Sequence, residues 1–248
     1  MLLETNAIVL HTTRYNDRFN ILHTYSQEAG RVNLLVPAAS RTSKGKKGKI
    51  SYPLLAEIAF SCEVRAHRTL HYLKEAYPVS PHPTLQQHVA KQGIAIMLSE
   101  ILYRILTVSE KDDELYHFVS QSLNLLESIT TGFANFHLVF LLRLPIYLGI
   151  SADYEDIVIQ QRLHPHYWFD LHETRFVPSA PLANTGIPPS EAVFLPLIVR
   201  MNYSNMRYFR FNRLQRRMII DHLISYYRLH LPPFPPLKSP DILKAMYD

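Results

Sequence analysis

The apolar residues of this chain change their period once, near residue 80, and prolines at 78, 81 and 83 mark the change. Before it, apolar residues come in short runs that alternate with polar ones, the two-residue repeat of a strand with one buried face. After it they recur every three to four residues, the repeat of an amphipathic helix. One layer of uniform structure cannot satisfy both, so the chain reads as α+β and multidomain, with residues 1–80 as one domain and 81–248 as a second. A length of 248 residues is near the size at which single cores divide.

Within the first part, strands are expected at residues 6–12, 19–26, 31–36, 54–64 and 70–76, with a hairpin turn at Gln27-Glu28-Ala29-Gly30. Five short strands in so few residues suggest a small barrel. In the second part, periodicity predicts helices over 84–106, 113–129 with Asp112 as N-cap, and 134–148 despite Pro145. Residues 151–189 carry His164, His166, His172, the only tryptophan and five prolines, and read as an irregular insert with one weak hairpin. Ser190 is expected to cap a helix to about residue 201, Asn212 a longer one through residue 230, and Ser239 with Pro240 a last short one over 241–247.

Charge is placed unevenly. Residues 1–80 hold 11 of the 26 Lys and Arg against 6 of the 21 Asp and Glu, so the whole formal excess of +5 lies there. Most of it sits in Arg41, Lys44, Lys46, Lys47 and Lys49, five cations in nine residues with two glycines and no acid. Flexible ammonium groups between strands of a barrel can displace counterions from a phosphate backbone; a solvated loop is the equally open alternative. Tyr15 and Tyr52 sit in polar turns where a ring can stack on a base, and Arg14 and Arg18 flank Tyr15 as further candidate DNA contacts. Arg207, Arg210, Arg213, Arg216 and Arg217 belong to a second cluster, the last three on one helical face, suited to phosphates or to an acidic peptide.

Enzymatic motifs are absent from the sequence. Gly45 and Gly48 enclose two residues where a phosphate loop needs four, and Leu171-His172-Glu173-Thr174 matches a zincin only superficially. The insert histidines lack helical spacing and thiolate companions, so neither a metal nor any other cofactor is expected. Cys62 is the single cysteine and residues 128–142, an uncharged run that none in the chain exceeds in length, are too short and polar for a membrane span. Together with an N-terminus lacking a basic stretch before an apolar run, these features point to a cytoplasmic protein with no membrane partner.

The run Ala7-Ile8-Val9-Leu10, then Tyr15-Asn16-Asp17-Arg18, Asn20 to Ser26, Glu28-Ala29-Gly30-Arg31 and the basic loop from Arg41, resembles the barrel of the bacterial RecO family, feature by feature. Leu144-Pro145-Ile146-Tyr147-Leu148-Gly149-Ile150 and the closing stretch from Leu223 to Ser239 are similar to later parts of that family, so the resemblance spans nearly the whole chain. It implies an N-terminal OB-fold, a helical domain and no catalysis. Binding of single- and double-stranded DNA, strand annealing, and help in loading RecA onto DNA coated by single-stranded DNA-binding protein are also implied, with RecR as a partner. It further implies that the acidic, apolar C-terminal tail of the single-stranded DNA-binding protein docks on the helical domain, for which Lys91, Arg104 and Arg143 are the candidates here. Many members hold zinc through four cysteines after the 144–150 motif; this chain has none between Gly149 and Pro189, so metal binding is not carried over. A pure interaction scaffold, in which the arginine helix grips an acidic tail and the barrel touches no DNA, is the competing reading.

Overall fold

A computed structural model describes residues 2–38, 52–64, 68–231 and 233–238. It divides into two compact units, one made of residues 1–128 with 236–248, the other of 129–235.

In the first unit, strands β1 (Leu2–Arg14), β2 (Phe19–Ser26), β3 (Gly30–Pro37), β4 (Glu57–Glu63) and β5 (His71–Ser80) close into a barrel in the order β1-β2-β3-β5-β4. All neighbours are antiparallel except β3 and β5, and this is the five-stranded OB-type arrangement. Alternation sends Ala7, Val9, Leu22, Val32, Leu34, Ile58, Phe60 and Cys62 inward to form its core. Gly30 turns the chain into β3 with φ +58°, and a Cβ there would lie 2.7 Å from the Val108 carbonyl oxygen, so only glycine fits. Strand β5 continues through Pro78, beyond its expected end at residue 76. Its pairing with β3 is confined to Leu34↔His71 and Leu35↔Tyr72, so at residue 78 no ladder on that side needs the missing N–H.

Three helices cover the barrel within the same unit: α1 (Pro83–Gln87), α2 (Val89–Ile105) and α3 (Asp113–Ser128). The single helix expected over 84–106 is broken at His88, whose backbone is extended. No proline or glycine marks that break. Glu127 accepts from the Thr84 and Leu85 amides at 3.0 and 3.2 Å and caps α1 from outside, which is tertiary and invisible in local spacing. Asp112 caps α3 as expected, accepting from the Leu115 amide at 3.0 Å. Residues that alternation turns out of the barrel, Ile8, Leu10 and Tyr25, are buried, with the Tyr25 and Tyr116 rings stacked at 6.4 Å. Ser99 Oγ donates to the Leu10 carbonyl, and Tyr116 Oη and Ser120 Oγ donate to the buried Glu57 carboxylate at 2.6 and 3.1 Å. The change of element type falls at residue 80, and by packing α1–α3 group with the barrel, so the compact units divide after Ser128.

The second unit is built on α4 (Phe136–Tyr147), which follows a 3-10 turn at Phe133–Asn135 and is buried along almost its whole length. Pro145 deprives the Leu141 carbonyl of its helical donor. Tyr227 Oη donates to that carbonyl instead, at 2.7 Å, and Tyr154 Oη donates to the neighbouring Leu142 carbonyl. Residues 151–189, expected to be an irregular insert with one weak hairpin, contain that hairpin and more: α5 (Tyr154–Leu163), capped by Asp153, precedes β6 (Trp168–Asp170) and its antiparallel partner β7 (Arg175–Val177), and β8 (Gly186–Ile187) adds a third strand to the sheet. Ile157, Phe169, Leu171 and Ile187 with Tyr226 form their core. Ser190 is not a cap. Pro188 takes that place, and the helix expected to follow splits into α6 (Pro189–Ala192) and α7 (Leu195–Val199), the second opening on Pro196. Helix α8 (Arg213–His230) begins on a capping box between Asn212 and Gln215, as the sequence implies. The short helix expected over 241–247 lies outside the described residues.

Two predictions follow from the second unit. Tyr227→Phe leaves the buried Leu141 carbonyl without a donor and should lower unfolding free energy by about 1–3 kcal/mol in denaturant titration, with the m-value unchanged. His137 is buried, with Nδ1 bonded to no described residue, and burial, then Arg216, depress its pKa to about 3. Above pH 6.5 both folded and unfolded forms are neutral; as pH falls from there towards about 3 only the unfolded chain takes up the proton, and stability is lost. His137→Leu should remove up to ~1.4 kcal/mol per pH unit from that loss, read as a flatter stability curve between pH 6.5 and 4.

Candidate nucleic-acid interface

The outer face of the barrel is covered by helices at one end and open at the other. The open end begins with the turn between β1 and β2. Asn16 Oδ1 accepts from the Arg18 and Phe19 amides at 2.9 Å each, and the Tyr15 and Asn16 amides donate to the Phe19 carbonyl at 3.1 and 3.0 Å. This side-chain turn fixes the backbone while Arg14, Tyr15 and Arg18 project into solvent. Tyr15 is 55% exposed. Arg14 pairs with Asp17, and since both are largely exposed the pair restrains Arg14 only weakly.

Beside this turn, the ring of Phe19 meets Tyr72 of β5 edge-on at 6.0 Å, and Tyr72 is 57% exposed. Lys74, also exposed, follows it on β5. The Ala38 amide, at the exit of β3, donates to the Arg18 carbonyl at 2.8 Å, which ties the end of β3 to the same turn. Arg41, Lys44, Lys46, Lys47 and Lys49 lie outside the described residues. Tyr52 is half-buried against the barrel core, and burial pushes its hydroxyl pKa up, so its ring packs inward rather than offering a stacking face.

Sequence reasoning missed Tyr72 and Lys74. A register shift between Ser61 and Cys62 on β4 breaks the alternation of the facing β5, where Leu73 and Ala76 both turn to the core, so a strict two-residue period misassigns that strand's faces. The edge-on partner Phe19, one position inside β2, was the available signal.

In the second unit the arginines do not act as one row. Arg216 turns back to donate to the Phe211 carbonyl, and its charge acts on buried His137. Arg213 and Arg217 remain exposed, the latter 3.9 Å from Asp221, with Leu214 between them 75% exposed. Arg207 donates to Tyr208 Oη at 2.6 Å and lies 4.8 Å from that ring's centroid; Arg210 is exposed.

The residues expected to dock an acidic tail are placed differently. Lys91 is 3% exposed, its ammonium donating to Thr84 Oγ1 at 3.1 Å and to the Glu127 carbonyl at 2.8 Å; it joins α1, α2 and α3 and offers no surface charge. Arg143 donates to the Met201 carbonyl at 3.1 Å. Lys91 and Arg104 belong to the first unit and Arg143 to the second.

The residues in the zinc-ribbon position do not fit a metal. His164 stacks on Tyr167 at 4.4 Å and His172 pairs with Glu173 at 3.0 Å, and among the described residues no three His, Cys, Asp or Glu side chains converge. Among the same residues no helix is long and apolar enough to cross a membrane.

Comparison with known proteins covers nearly the whole chain. The family described as Recombination protein O N terminal matches residues 1–82, and Recombination protein O C terminal matches residues 86–241. Proteins named DNA repair protein RecO are similar over the full length of both chains: 43% identity for that of Porphyromonas gingivalis, 37% for that of Phocaeicola vulgatus and 36% for that of Bacteroides fragilis. With its OB-type barrel, helical second unit and end-to-end match, the chain belongs to the RecO family of DNA repair and recombination proteins.

Proposed function

We propose that this chain binds single- and double-stranded DNA along the open outer face of its barrel, anneals complementary strands and helps load RecA onto DNA coated by single-stranded DNA-binding protein, with RecR as partner. The carrying observation is the strip formed by Arg14, Tyr15, Arg18, Tyr72 and Lys74, cations interleaved with exposed rings beside Ala38 at the exit of β3. The turn after β1 is one of the two loops with which OB-folds meet oligonucleotides. Cations track the backbone and rings stack on bases of any sequence, so such a surface holds and exchanges strands without making or breaking covalent bonds.

Anisotropy titration of a labelled mixed-sequence single strand at several salt concentrations tests this. Binding should be sequence-tolerant and weaken with salt. Replacing Arg41, Lys44, Lys46, Lys47 and Lys49 with alanine should flatten the slope of log affinity against log salt by roughly 3.5. Tyr72→Ala should cost about 1–3 kcal/mol without changing that slope. Absence of binding at low salt would sink the reading.

The scaffold alternative draws on α8, where exposed Leu214 stands between Arg213 and Arg217, a combination suited to an acidic, apolar tail. Reversing both charges to Glu separates the readings. Loss of tail-peptide binding with DNA affinity retained makes α8 a protein site, whereas loss of both makes it part of the DNA track.

A further inference from the structure

We infer that the end of α2 and the bulged outer face of β1 and β2 form a subsite for one backbone phosphate of the bound strand, built from His11, Arg31 and Arg104 around the ring of Tyr103. The inference rests on the reading that the barrel binds nucleic acid and adds a defined contact to it.

The β1–β2 ladder pairs Val9 with Thr24 and then His11 with His23, leaving Leu10 as an extra residue. Such a bulge re-aims the side chains that follow it. Leu10 is buried and its carbonyl accepts from Ser99 of α2, while His11 comes out directly opposite His23 on the outer face. The two imidazoles stack at 6.2 Å, and each lies 5.0 Å from the Tyr103 ring. The Arg31 guanidinium sits 4.5 Å from the same ring and the Arg104 guanidinium 5.6 Å from it. Four nitrogen-bearing side chains from β1, β2, β3 and α2 thus surround one half-buried tyrosine.

Among the described residues negative charge is scarce there. Among them Glu100 of α2 is the carboxylate that acts on His11; it lies 3.9 Å from Arg104 and is engaged by the Lys238 amide at 3.0 Å through both oxygens. Arg31 is spent on structure, donating to the Tyr103 and Leu106 carbonyls at 3.3 and 3.2 Å at the end of α2, so it supplies a fixed background charge. Arg104 is different: its Nε is bonded to no described residue, and its side chain is 30% exposed, so its guanidinium can turn to an anion. His11 is exposed, and none of the described residues hydrogen-bonds its ring.

The chemistry that completes this arrangement is an oxyanion between His11 and Arg104. His23 can take a proton without losing a bond, since Thr13 Oγ1, 3.0 Å from Nε2, is able either to donate or to accept, while Nδ1 faces Asn33 Oδ1 at 2.7 Å. Without an anion, burial and then the Arg104 and Arg31 charges hold His11 below its ordinary pKa, against a weaker opposing pull from Glu100; burial and Arg31 do the same to His23 despite its bond to Asn33. A phosphate reverses the nearest charge and raises both. Strand binding therefore takes up protons, and affinity rises as pH falls through the region below 6.5. Strands rise ~3.3 Å per residue, so His11 lies about 10 Å along β1 from Arg14, and the subsite extends the open strip toward α2.

The test is anisotropy titration of the full chain with the same labelled single strand at constant ionic strength from pH 8 to pH 5.5, for the natural protein, His11→Gln and Arg104→Gln. The natural protein should bind at least about fivefold more tightly at pH 5.5 than at pH 8, and His11→Gln should reduce that ratio to about twofold or less with thermal stability unchanged. Arg104→Gln should weaken binding at all pH values and lower the salt slope by about 0.7. Binding by the natural protein whose pH profile is untouched in His11→Gln, or whose salt slope is untouched in a folded Arg104→Gln, overturns the subsite alone. No binding at any pH overturns the DNA reading and the subsite together. A His11-dependent pH profile obtained with a hexaglutamate peptide and not with the oligonucleotide assigns the cluster to an acidic protein partner and also overturns the proposal.

Discussion

Burial of the outward-facing side of β1 and β2 by α2 and α3 is the constraint on which the first unit depends. A five-stranded barrel has room for few interior side chains, and a core of Ala7, Val9, Leu22, Leu34 and their neighbours is small. Ile8, Leu10 and Tyr25 point the other way and are equally buried, giving the barrel a second apolar layer against the helices. Polar bonds pin that layer: Ser99 to Leu10, Tyr116 and Ser120 to Glu57, Arg31 to the end of α2. Each is modest by itself, about 1 kcal/mol for a neutral hydrogen bond, but a lost partner would leave a buried acceptor unmet. Covering one end of the face also determines which end stays open, so a stability requirement leaves Tyr15, Tyr72 and their cations facing solvent.

The two units handle missing backbone partners in the same way, with side chains standing in for the ladder. Pro145 frees the Leu141 carbonyl and Tyr227 meets it; α1 starts without a side chain cap of its own, and Glu127 supplies one from α3. Buried polar groups are tolerated where they are satisfied, and Tyr116, Tyr226 and Tyr227 are buried with each hydroxyl donating to an acceptor. The insert follows a different course. Zinc is not expected in this cysteine-free insert, and Phe169, Leu171, Ile187 and Ile157 provide an apolar core there, while Asp170 ties the turns by accepting from the His172 amide at 2.9 Å and from Thr185 Oγ1 at 2.8 Å.

Much of the barrel was legible because its physics is local. Alternation over 19–26 and 31–36, the glycine at 30 and the Asn212 cap of α8 each carry their own signal. What escaped depends on contacts distant in sequence. The break at His88 and the burial of Lys91 are set by Glu127 and Thr84, and nothing within the 84–106 spacing separates Lys91 from an exposed lysine. The insert was read only in part: its weak hairpin is β6 with β7, but α5 and β8 were missed because prolines and histidines suggest irregularity and the strands are two and three residues long, below what periodicity can register.

The candidate interface was half legible for the same reason. Tyr15, Arg14 and Arg18 occupy a polar turn, and turn residues announce their exposure. Tyr72 and His11 are exposed, and Arg104 Nε is left without a described partner, beside irregularities: the register shift facing β5, the bulge at Leu10, and a helix end whose carbonyls Arg31 has claimed. Bulges are where a sheet gives up regular pairing to direct a side chain elsewhere. In this barrel the β1 bulge seats Leu10 in the helical layer and presents His11 to solvent in one step, so the residue that fastens the helices and the residue left available for an anion are adjacent in sequence and opposite in role. A substitution that regularised β1 would therefore disturb packing and binding together, whereas His11 itself can change with the packing intact.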